Sequence, residues 1–226
     1  MKFTIISAVP QLLESPLNHS ILQRAKDKGI LEVEIIDLHD FGTGVHKKID
    51  DYQYGGGAGM LIMPEVLKKC LDFLEKKNTF DEIIFLTPDG EPFNQSTANS
   101  LSLEGNILLI CGHYKGIDER FREKYVTKEI SIGDYVLSGG ELGACIIVDA
   151  VSRLLPGVLN DGTSALTDSF QDNLLAPPVY TRPDEWEGMK VPQVLTSGNF
   201  KKIDEWRTEK AYERTKNRRP DLLDKD

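Results

Sequence analysis

Ser131-Ile-Gly-Asp-Tyr-Val-Leu-Ser-Gly-Gly-Glu141 is the most informative part of this chain, and it runs directly into the apolar residues 142–151. It reads as the end of a strand, a turn rich in Gly and Ser, and the start of a helix. Glycine lets the backbone approach another molecule closely, and a helix N-terminus supplies unpaired N–H groups. The pattern therefore predicts a loop that binds a small ligand.

Strands and helices alternate on both sides of this loop. Hydrophobic periodicity predicts strands at residues 3–6, 31–36, 83–86, 107–111 and 125–130, and helices at 11–28, after Pro64, at 94–103, 117–124 and 140–155. Such alternation predicts an α/β domain with a mostly parallel sheet covered by helices. Residues 37–60 hold six glycines without periodicity and are predicted to form a long loop.

The composition changes after Pro156-Gly157, where residues 158–183 become rich in Asn, Asp, Gly, Ser, Thr and Pro. Residues 201–216 then predict a charged helix. Residues 201–219 contain eight Lys or Arg and four acids, although the whole chain carries a net charge of −9. We expect a domain of residues 1–160, a flexible linker of residues 161–173, and a small helical C-terminal domain of residues 174–226.

Composition also excludes several classes of protein. A net charge of −9 argues against general affinity for nucleic acids but allows a local basic surface. No uncharged apolar run approaches the about 18 to 20 residues that span a bilayer, and no secretory signal pattern is present, so we expect a cytoplasmic protein. Cys70, Cys111 and Cys145 are predicted to be reduced core residues. The four histidines lack metal-ligand spacing, so no metal site is predicted.

Two further loops follow predicted strands: Leu86-Thr-Pro-Asp-Gly90 and Cys111-Gly-His-Tyr-Lys-Gly-Ile-Asp-Glu-Arg120. Open α/β sheets bind ligands where their strands end, so three such loops together favour a binding site. Ordinary turns would explain any one of them, but they explain the set less well. Tyr54-Gly-Gly-Gly-Ala-Gly-Met60 is either a mobile surface loop or a close approach to a ligand, and it matches no phosphate-binding fingerprint.

Taken together, these motifs resemble the TrmD family of bacterial tRNA (guanine-N1)-methyltransferases, which belongs to the SPOUT superfamily. The matching pieces follow the family's order across nearly the whole chain: Asp50-Asp51 with residues 54–60, Cys111-Gly-His-Tyr114, Gly116-Ile-Asp-Glu-Arg120, residues 131–142, Ser152-Arg153, Pro156-Gly-Val-Leu159, Asp168-Ser-Phe170, Tyr180-Thr-Arg-Pro183, Val194-Leu195 and Ser197-Gly-Asn199.

The resemblance implies a SPOUT-type parallel sheet with a C-terminal trefoil knot, working as a homodimer that binds tRNA. The strand pattern alone does not indicate a knot, because knots are almost absent from proteins. The resemblance also implies that S-adenosylmethionine is held by Leu86, Pro88, Gly112, Tyr114, Ile132, Gly133, Asp134, Tyr135, Val136, Leu137, Gly139 and Gly140.

For the chemistry, the resemblance implies methylation of guanine N1 at position 37 of tRNA, with Asp168 as general base and Arg153 stabilising charge on the guanine. The residues alone favour plainer interpretations: a turn or helix cap for Asp168, and an ion pair with Asp149 for Arg153. The basic C-terminal helix fits RNA recognition, and Trp206 is more simply a packing residue.

The chain departs from the family at four positions. Lys115 replaces a Glu that is associated with magnesium, so a role for magnesium is left open. Gly143 replaces a frequent Pro, Thr167 a usual Glu, and Ala176 a common acid. Two alternatives remain: a catalytically inactive RNA-binding or adenosylmethionine-sensing relative, and a nucleotide-dependent α/β enzyme.

Overall fold

The computed structural model describes residues 1–159 and 168–223. The chain divides into two compact units, Met1–Asn160 and Asp161–Asp226. Within the described residues, no helix is both long enough and apolar enough to cross a membrane.

The first unit is built on a five-stranded parallel sheet, which confirms the predicted α/β architecture. Its strands are β1 (Lys2–Ser7), β2 (Glu32–Asp37), β5 (Glu82–Pro92), β6 (Asn106–Cys111) and β7 (Lys128–Ser131), in the order β2-β1-β6-β5-β7. A separate antiparallel hairpin pairs β3 (Asp50–Tyr52) with β4 (Met60–Ile62). Parallel pairing places the carboxyl ends of β5, β6 and β7 at one edge of the sheet, where ligands bind in this class of fold.

Helices cover both faces of the sheet. They are α1 (Gln11–Leu17), α2 (Ser20–Asp27), α3 (Pro64–Glu75), α4 (Gln95–Leu101), α5 (Glu119–Tyr125) and α6 (Glu141–Ser152). In β6, Ile107 and Leu109 join the apolar cluster under α1, α2, α4 and α6, whereas Leu108 and Ile110 join the cluster under α3 and α5. A strand that is buried on both faces reads as a continuous apolar run, which is why β6 was recognisable from the sequence.

The single helix predicted over residues 11–28 is wrong, because the structure has two helices that break at Asn18. The Asn18 side chain donates a hydrogen bond to the Glu14 carbonyl, and the chain restarts at Ser20 with a φ of 53°. Side-chain hydrogen bonding to nearby backbone competes with helix continuation. Hydrophobic spacing alone cannot report such a break.

The predicted loop of residues 37–60 is also wrong in part, since it holds a 3-10 turn at Leu38–Phe41 and the strand β3. Strands of three residues are too short to show periodicity. The helix predicted from Ile117 begins two residues later, because Ile117 pairs with Ile62 and Asp118 caps the helix by accepting from the Arg120 N–H. The strand predicted over residues 125–130 begins only at Lys128, because α5 continues to Tyr125.

The second unit contains a short hairpin, β8 (Glu185–Trp186) with β9 (Met189–Lys190), and the helices α7 (Gln193–Thr196) and α8 (Phe200–Arg218). The charged helix predicted at residues 201–216 is therefore confirmed as α8. Trp206 lies beside Tyr180, with ring centroids 6.4 Å apart, and is half-buried. This contact agrees with the packing interpretation of Trp206.

The three cysteines are expected to be unreactive in the native protein. Burial raises the pKa of the Cys70 thiol to about 12 and that of the Cys145 thiol to about 11, and it raises the pKa of the Cys111 thiol well above its ordinary value. The thiolate is the reactive form, so iodoacetamide at pH 8 should modify the native thiols about 100-fold or more slower than an ordinary thiol. Mass spectrometry should detect rapid triple modification only in urea; rapid labelling of the native chain would contradict this burial.

Candidate active site

A cavity of about 260 Å³ lies beside the ends of β6 and β7, and its lining includes residues 85–88 of β5 together with the segments that follow β6 and β7. The loop predicted at Leu86–Gly90 is therefore wrong, because these residues lie within β5, where the pairing with β7 shifts register between Leu86 and Glu91. Most of the residues predicted to hold a cofactor line the cavity: Leu86, Pro88, Gly112, Tyr114, Ile132, Gly133, Tyr135, Val136, Leu137, Gly139 and Gly140. Its walls combine glycine backbone with apolar side chains. Such a surface offers N–H and C=O groups for directional contacts and an apolar face for a flat ring.

Asp134 is the predicted cofactor residue that does not line the cavity. The preceding Gly133 has a φ of +145°, the Tyr135 N–H donates to the Gly133 carbonyl at 2.8 Å, and the Tyr135 hydroxyl donates to the Ile132 carbonyl at 3.2 Å. This tight turn leaves Asp134 exposed while its neighbours form the wall. The sequence could not show which side chain of the turn faces outward.

Apolar side chains are exposed at the cavity mouth. Val136 is 83% exposed, Tyr135 54% and Leu137 38%. Adjacent exposed apolar residues at a concave site mark a surface that a ligand or another chain covers. The loop of residues 131–140 therefore has the form of a binding surface.

After β7 the chain passes across the end of β6 before it enters α6. The Gly140 N–H donates to the Gly112 carbonyl at 2.8 Å, and His113 and Gly139 form an antiparallel bridge. A Cβ atom added at Gly140 would lie 2.8 Å from the Cys111 Cα and 3.1 Å from the Gly112 nitrogen. Only glycine fits this crossing, which explains the Gly-Gly pair.

A buried carboxylate, Glu141, begins α6 directly after this crossing. The Ser7 hydroxyl at the end of β1 donates to Glu141 Oε1 at 2.7 Å and accepts from the Val9 N–H at 2.9 Å. Glu141 is 1% exposed and Ser7 is fully buried. The Gly-Gly crossing is thus connected to the end of β1, the strand next to β6 in the sheet. No sequence pattern predicts this pair; an acidic residue at a helix N-terminus is the one local signal that points to Glu141.

We expect Ser7→Ala to lower the free energy of unfolding by about 1–3 kcal/mol, because a buried carboxylate oxygen loses its donor. Urea denaturation should show the loss as a lower midpoint. Ser100→Ala is the matched control, since the exposed Ser100 hydroxyl donates only to the Ser96 carbonyl in α4. Equal midpoints for the two variants would show that the buried hydrogen bond contributes little.

The Leu86–Gly90 segment forms another wall of the cavity and is held by Arg122 of α5. One guanidinium nitrogen of Arg122 donates to Asp89 Oδ2 at 2.7 Å and to Glu129 Oε2 at 2.6 Å. Hydrogen bonds from Thr87 and Arg122 lower the pKa of Asp89. The contact therefore stabilises the folded protein at pH values above the ordinary carboxyl pKa. This stabilisation is lost as the pH falls through the lowered pKa of Asp89.

A second cavity, of about 460 Å³, is lined by loop residues that include His46, Lys47, Lys48, Asp50 and Tyr114. Tyr114 lines both cavities, and burial together with the charge of Asp50 raises its pKa. Asp50 is 8% exposed, and its Oδ2 has no hydrogen-bond partner among the described residues. The Asp50-Asp51 motif thus places one carboxylate inside the protein, in the lining of the second cavity.

The predicted catalytic residues lie in different units. Arg153 follows α6 in the first unit, where its backbone N–H donates to the Asp149 carbonyl at 3.1 Å. Asp168 lies in the second unit and is half-buried. The side-chain ion pair between Arg153 and Asp149 that the residues alone favoured stays a prediction.

The described part of the predicted linker, residues 168–173, forms a turn fixed to α8. Ser169 Oγ accepts from the Ala176 N–H at 3.0 Å, and the Phe170 N–H donates to the Leu174 carbonyl at 2.7 Å. The Leu175 N–H donates to Oγ1 of the buried Thr215 at 2.9 Å. The remaining linker positions, 161–167 with Thr167, lie outside the described residues.

Within the part of the chain that the structure describes, no cluster of three or more His, Cys, Asp or Glu side chains is placed to hold a metal ion. Lys115 lies at the edge of the first cavity. The family that the sequence resembles commonly has Glu at this position.

Comparison with known proteins shows which proteins this chain is similar to. The family profile described as tRNA (Guanine-1)-methyltransferase TrmD matches residues 1–225. A tRNA (guanine-N(1)-)-methyltransferase from Christiangramia forsetii is 60% identical over 99% of both chains. A protein of the same name from Flavobacterium psychrophilum is 58% identical over 99% of this chain and 100% of its own length. Another from Cytophaga hutchinsonii is 57% identical over 100% of this chain and 96% of its own length.

Proposed function

The chain belongs to the tRNA (guanine-1)-methyltransferase family, and on that premise we propose that it methylates N1 of guanine 37 in tRNA with S-adenosylmethionine as donor. The observation that carries the proposal is the cavity beside β5 and the ends of β6 and β7, with glycine backbone and apolar side chains as its walls. Bound S-adenosylmethionine supplies an activated methyl group, so the protein's task is to position the acceptor and to remove its proton.

The residues around the cavity fit such a donor. Gly139 and Gly140 present backbone where a Cβ atom would collide with neighbouring atoms, and a Cβ atom at Gly112 would lie 3.0 Å from the Phe85 ring; such backbone suits close contact with polar ring edges. Ile132, Val136 and Leu137 supply an apolar wall for an adenine ring. The remaining predicted residues of the site, apart from Asp134, complete the lining.

We assign the acid–base chemistry to Asp168. Guanine N1 carries a proton at neutral pH and is a poor nucleophile until that proton leaves, so a positioned base is required. A carboxylate accepts such a proton, and the turn of residues 168–173 fixes Asp168 relative to α8. The anchoring of this turn supports a defined position for the base.

Arg153 is assigned to charge stabilisation. Removal of the N1 proton leaves negative charge that is shared with O6 of the guanine, and a guanidinium offers a planar set of donors to such an oxygen. Its position directly after α6 connects it through that helix to the Gly-Gly crossing at the cavity.

We further propose the finer architecture that the family implies. The return of the chain past β6, with the Gly140 to Gly112 hydrogen bond, supports a trefoil knot in the C-terminal part of residues 1–160. Leu142 and Ile146 lie one helical turn apart on α6 and are 51% and 45% exposed, which supports a homodimer interface there. Residues 174–226, with the basic α8, would bind tRNA after the linker of residues 161–173, in the cytoplasm where tRNA acts.

A methyl-transfer assay tests the proposal. The protein is incubated with S-adenosylmethionine and a tRNA transcript that carries guanine 37, and methyl incorporation is measured beside the dissociation constant of the donor. We expect both binding and transfer. Binding without transfer would instead indicate an inactive RNA-binding or adenosylmethionine-sensing relative, a reading that the methyltransferase names of the relatives do not favour.

A further inference from the structure

Lys115 carries the only permanent charge among the described residues that line the first cavity. The other lining residues are glycines, apolar or hydroxyl side chains, Pro88 and His113. Lys115 is exposed, and among the described residues no carboxylate forms an ion pair with it. A single cation in an otherwise uncharged lining points to an anionic group on the ligand.

The backbone around Lys115 is fixed by the β3–β4 hairpin. The Lys115 N–H donates to the Met60 carbonyl at 3.0 Å, and the Ile62 N–H donates to the Gly116 carbonyl at 3.1 Å. Tyr114 and Gly116, on either side, both have positive φ angles, of 59° and 113°. This tight turn fixes the backbone position of Lys115 at the edge of the cavity.

The glycine-rich loop before β4 also contacts the Lys115 side chain. Gly59 has a φ of +97°, and a Cβ atom added there would lie 2.7 Å from Lys115 Cγ and 3.2 Å from Cε. The aliphatic stem of Lys115 therefore lies across Gly59 in a space that any other residue would fill. This contact gives one glycine of the Tyr54–Met60 motif a specific role.

We propose that the Lys115 ammonium binds the α-carboxylate of S-adenosylmethionine, an inference that rests on the proposed function. The carboxylate is the only anionic group of the donor, whose sulfonium and α-ammonium groups would repel a lysine. A charge-assisted hydrogen bond between ammonium and carboxylate is stronger than a neutral one. The amino-acid end of the donor thus lies toward Lys115 and the hairpin, and the adenine lies toward Ile132, Val136 and Leu137.

Calorimetry with two ligands tests this assignment. S-Adenosylmethionine carries the carboxylate, whereas 5′-methylthioadenosine keeps the adenosine and sulfur but lacks the amino-acid group. Lys115→Gln should lower the affinity for S-adenosylmethionine about tenfold, which is the effect of losing one charge-assisted hydrogen bond. The affinity for methylthioadenosine should stay unchanged. Lys115→Arg should restore most of the affinity. Lys124→Gln, on an exposed lysine of α5 outside the cavity lining, is the matched control and should change neither ligand.

Gly59→Ala provides an independent test that leaves Lys115 itself intact. The added methyl group should displace the Lys115 stem and weaken S-adenosylmethionine selectively, by a factor of about three to ten, because the ammonium then meets the carboxylate less well. Gly55→Ala is its control: Gly55 also has a positive φ, of 86°, but a Cβ atom there meets nothing within 4 Å. The pair separates the side-chain contact from backbone strain.

The outcomes separate this assignment from the proposed function. Suppose that the unmodified protein binds S-adenosylmethionine and that Lys115→Gln lowers the affinity for both ligands equally, or for neither. The assignment to Lys115 is then wrong and the proposed function stands. If the unmodified protein does not bind S-adenosylmethionine, the proposed function fails and the assignment fails with it.

Discussion

Asp168→Asn is expected to reduce methyl transfer to tRNA by a factor of about 10² to 10⁴, the range that a general base contributes. The amide keeps the shape of the side chain but cannot accept the N1 proton of guanine. Affinity for S-adenosylmethionine should stay within about threefold, since the cavity lining belongs to the first unit and Asp168 to the second. Single-turnover transfer rates and calorimetry measure the two effects separately.

Asp172→Asn is the matched control, because Asp172 is an exposed acid in the same turn, with a φ of 49° that asparagine tolerates. It should retain nearly full transfer activity. If Asp168→Asn transferred methyl groups as fast as Asp172→Asn, Asp168 could not be the base. If both variants lost activity together, the turn as a whole would matter rather than one carboxylate.

Gly140→Ala is expected to have the largest effect on the cavity itself. The new methyl group would lie 2.8 Å from the Cys111 Cα, which is backbone of β6 and not the movable end of a side chain. Overpacking of this kind costs about 1–3 kcal/mol in the free energy of unfolding. Because the Gly140 to Gly112 hydrogen bond lies at the cavity wall, affinity for S-adenosylmethionine should also fall, by about tenfold or more.

Gly143→Ala controls for the substitution, since Gly143 lies in the first turn of the same helix but its nearest neighbours would be 3.6 Å from the added Cβ. Urea denaturation should find this variant close to the unmodified protein, because 3.6 Å is an ordinary contact distance; Gly143 itself lines the cavity, so the control applies to stability alone. Equal behaviour of the two variants would contradict the tight crossing at Gly140.

The parallel sheet was predictable because its central strands have strong local patterns. β6 is apolar at every residue from Ile107 to Cys111, and the helices between the strands show clear spacing. The errors fall where a short-range hydrogen bond overrides the pattern, as at Asn18, or where an element is too short to show periodicity, as in β3. Both causes are local, so the topology was unaffected.

For the site, the sequence indicated three segments that the structure brings together around one cavity, because strand ends in a parallel sheet share an edge. It did not show that the first of them, Leu86–Gly90, is an irregular part of β5 and not a loop. It could not indicate the contact between Ser7 and Glu141, which are 134 positions apart. Nor could it orient Asp134 away from the cavity. The roles of Arg153 and Asp168 came from the resemblance, since an isolated Asp in a polar segment has no local pattern that distinguishes a base from a turn residue.

The most direct measurement is to locate the transferred methyl group. Two tRNA transcripts, one with guanine 37 and one with adenine 37, are treated with the protein and S-adenosylmethionine and then copied by reverse transcriptase. A methyl group on guanine N1 blocks Watson–Crick pairing, so copying should arrest next to position 37 in the guanine transcript alone. Methyl incorporation without that arrest, or arrest at another position, would contradict the proposed reaction.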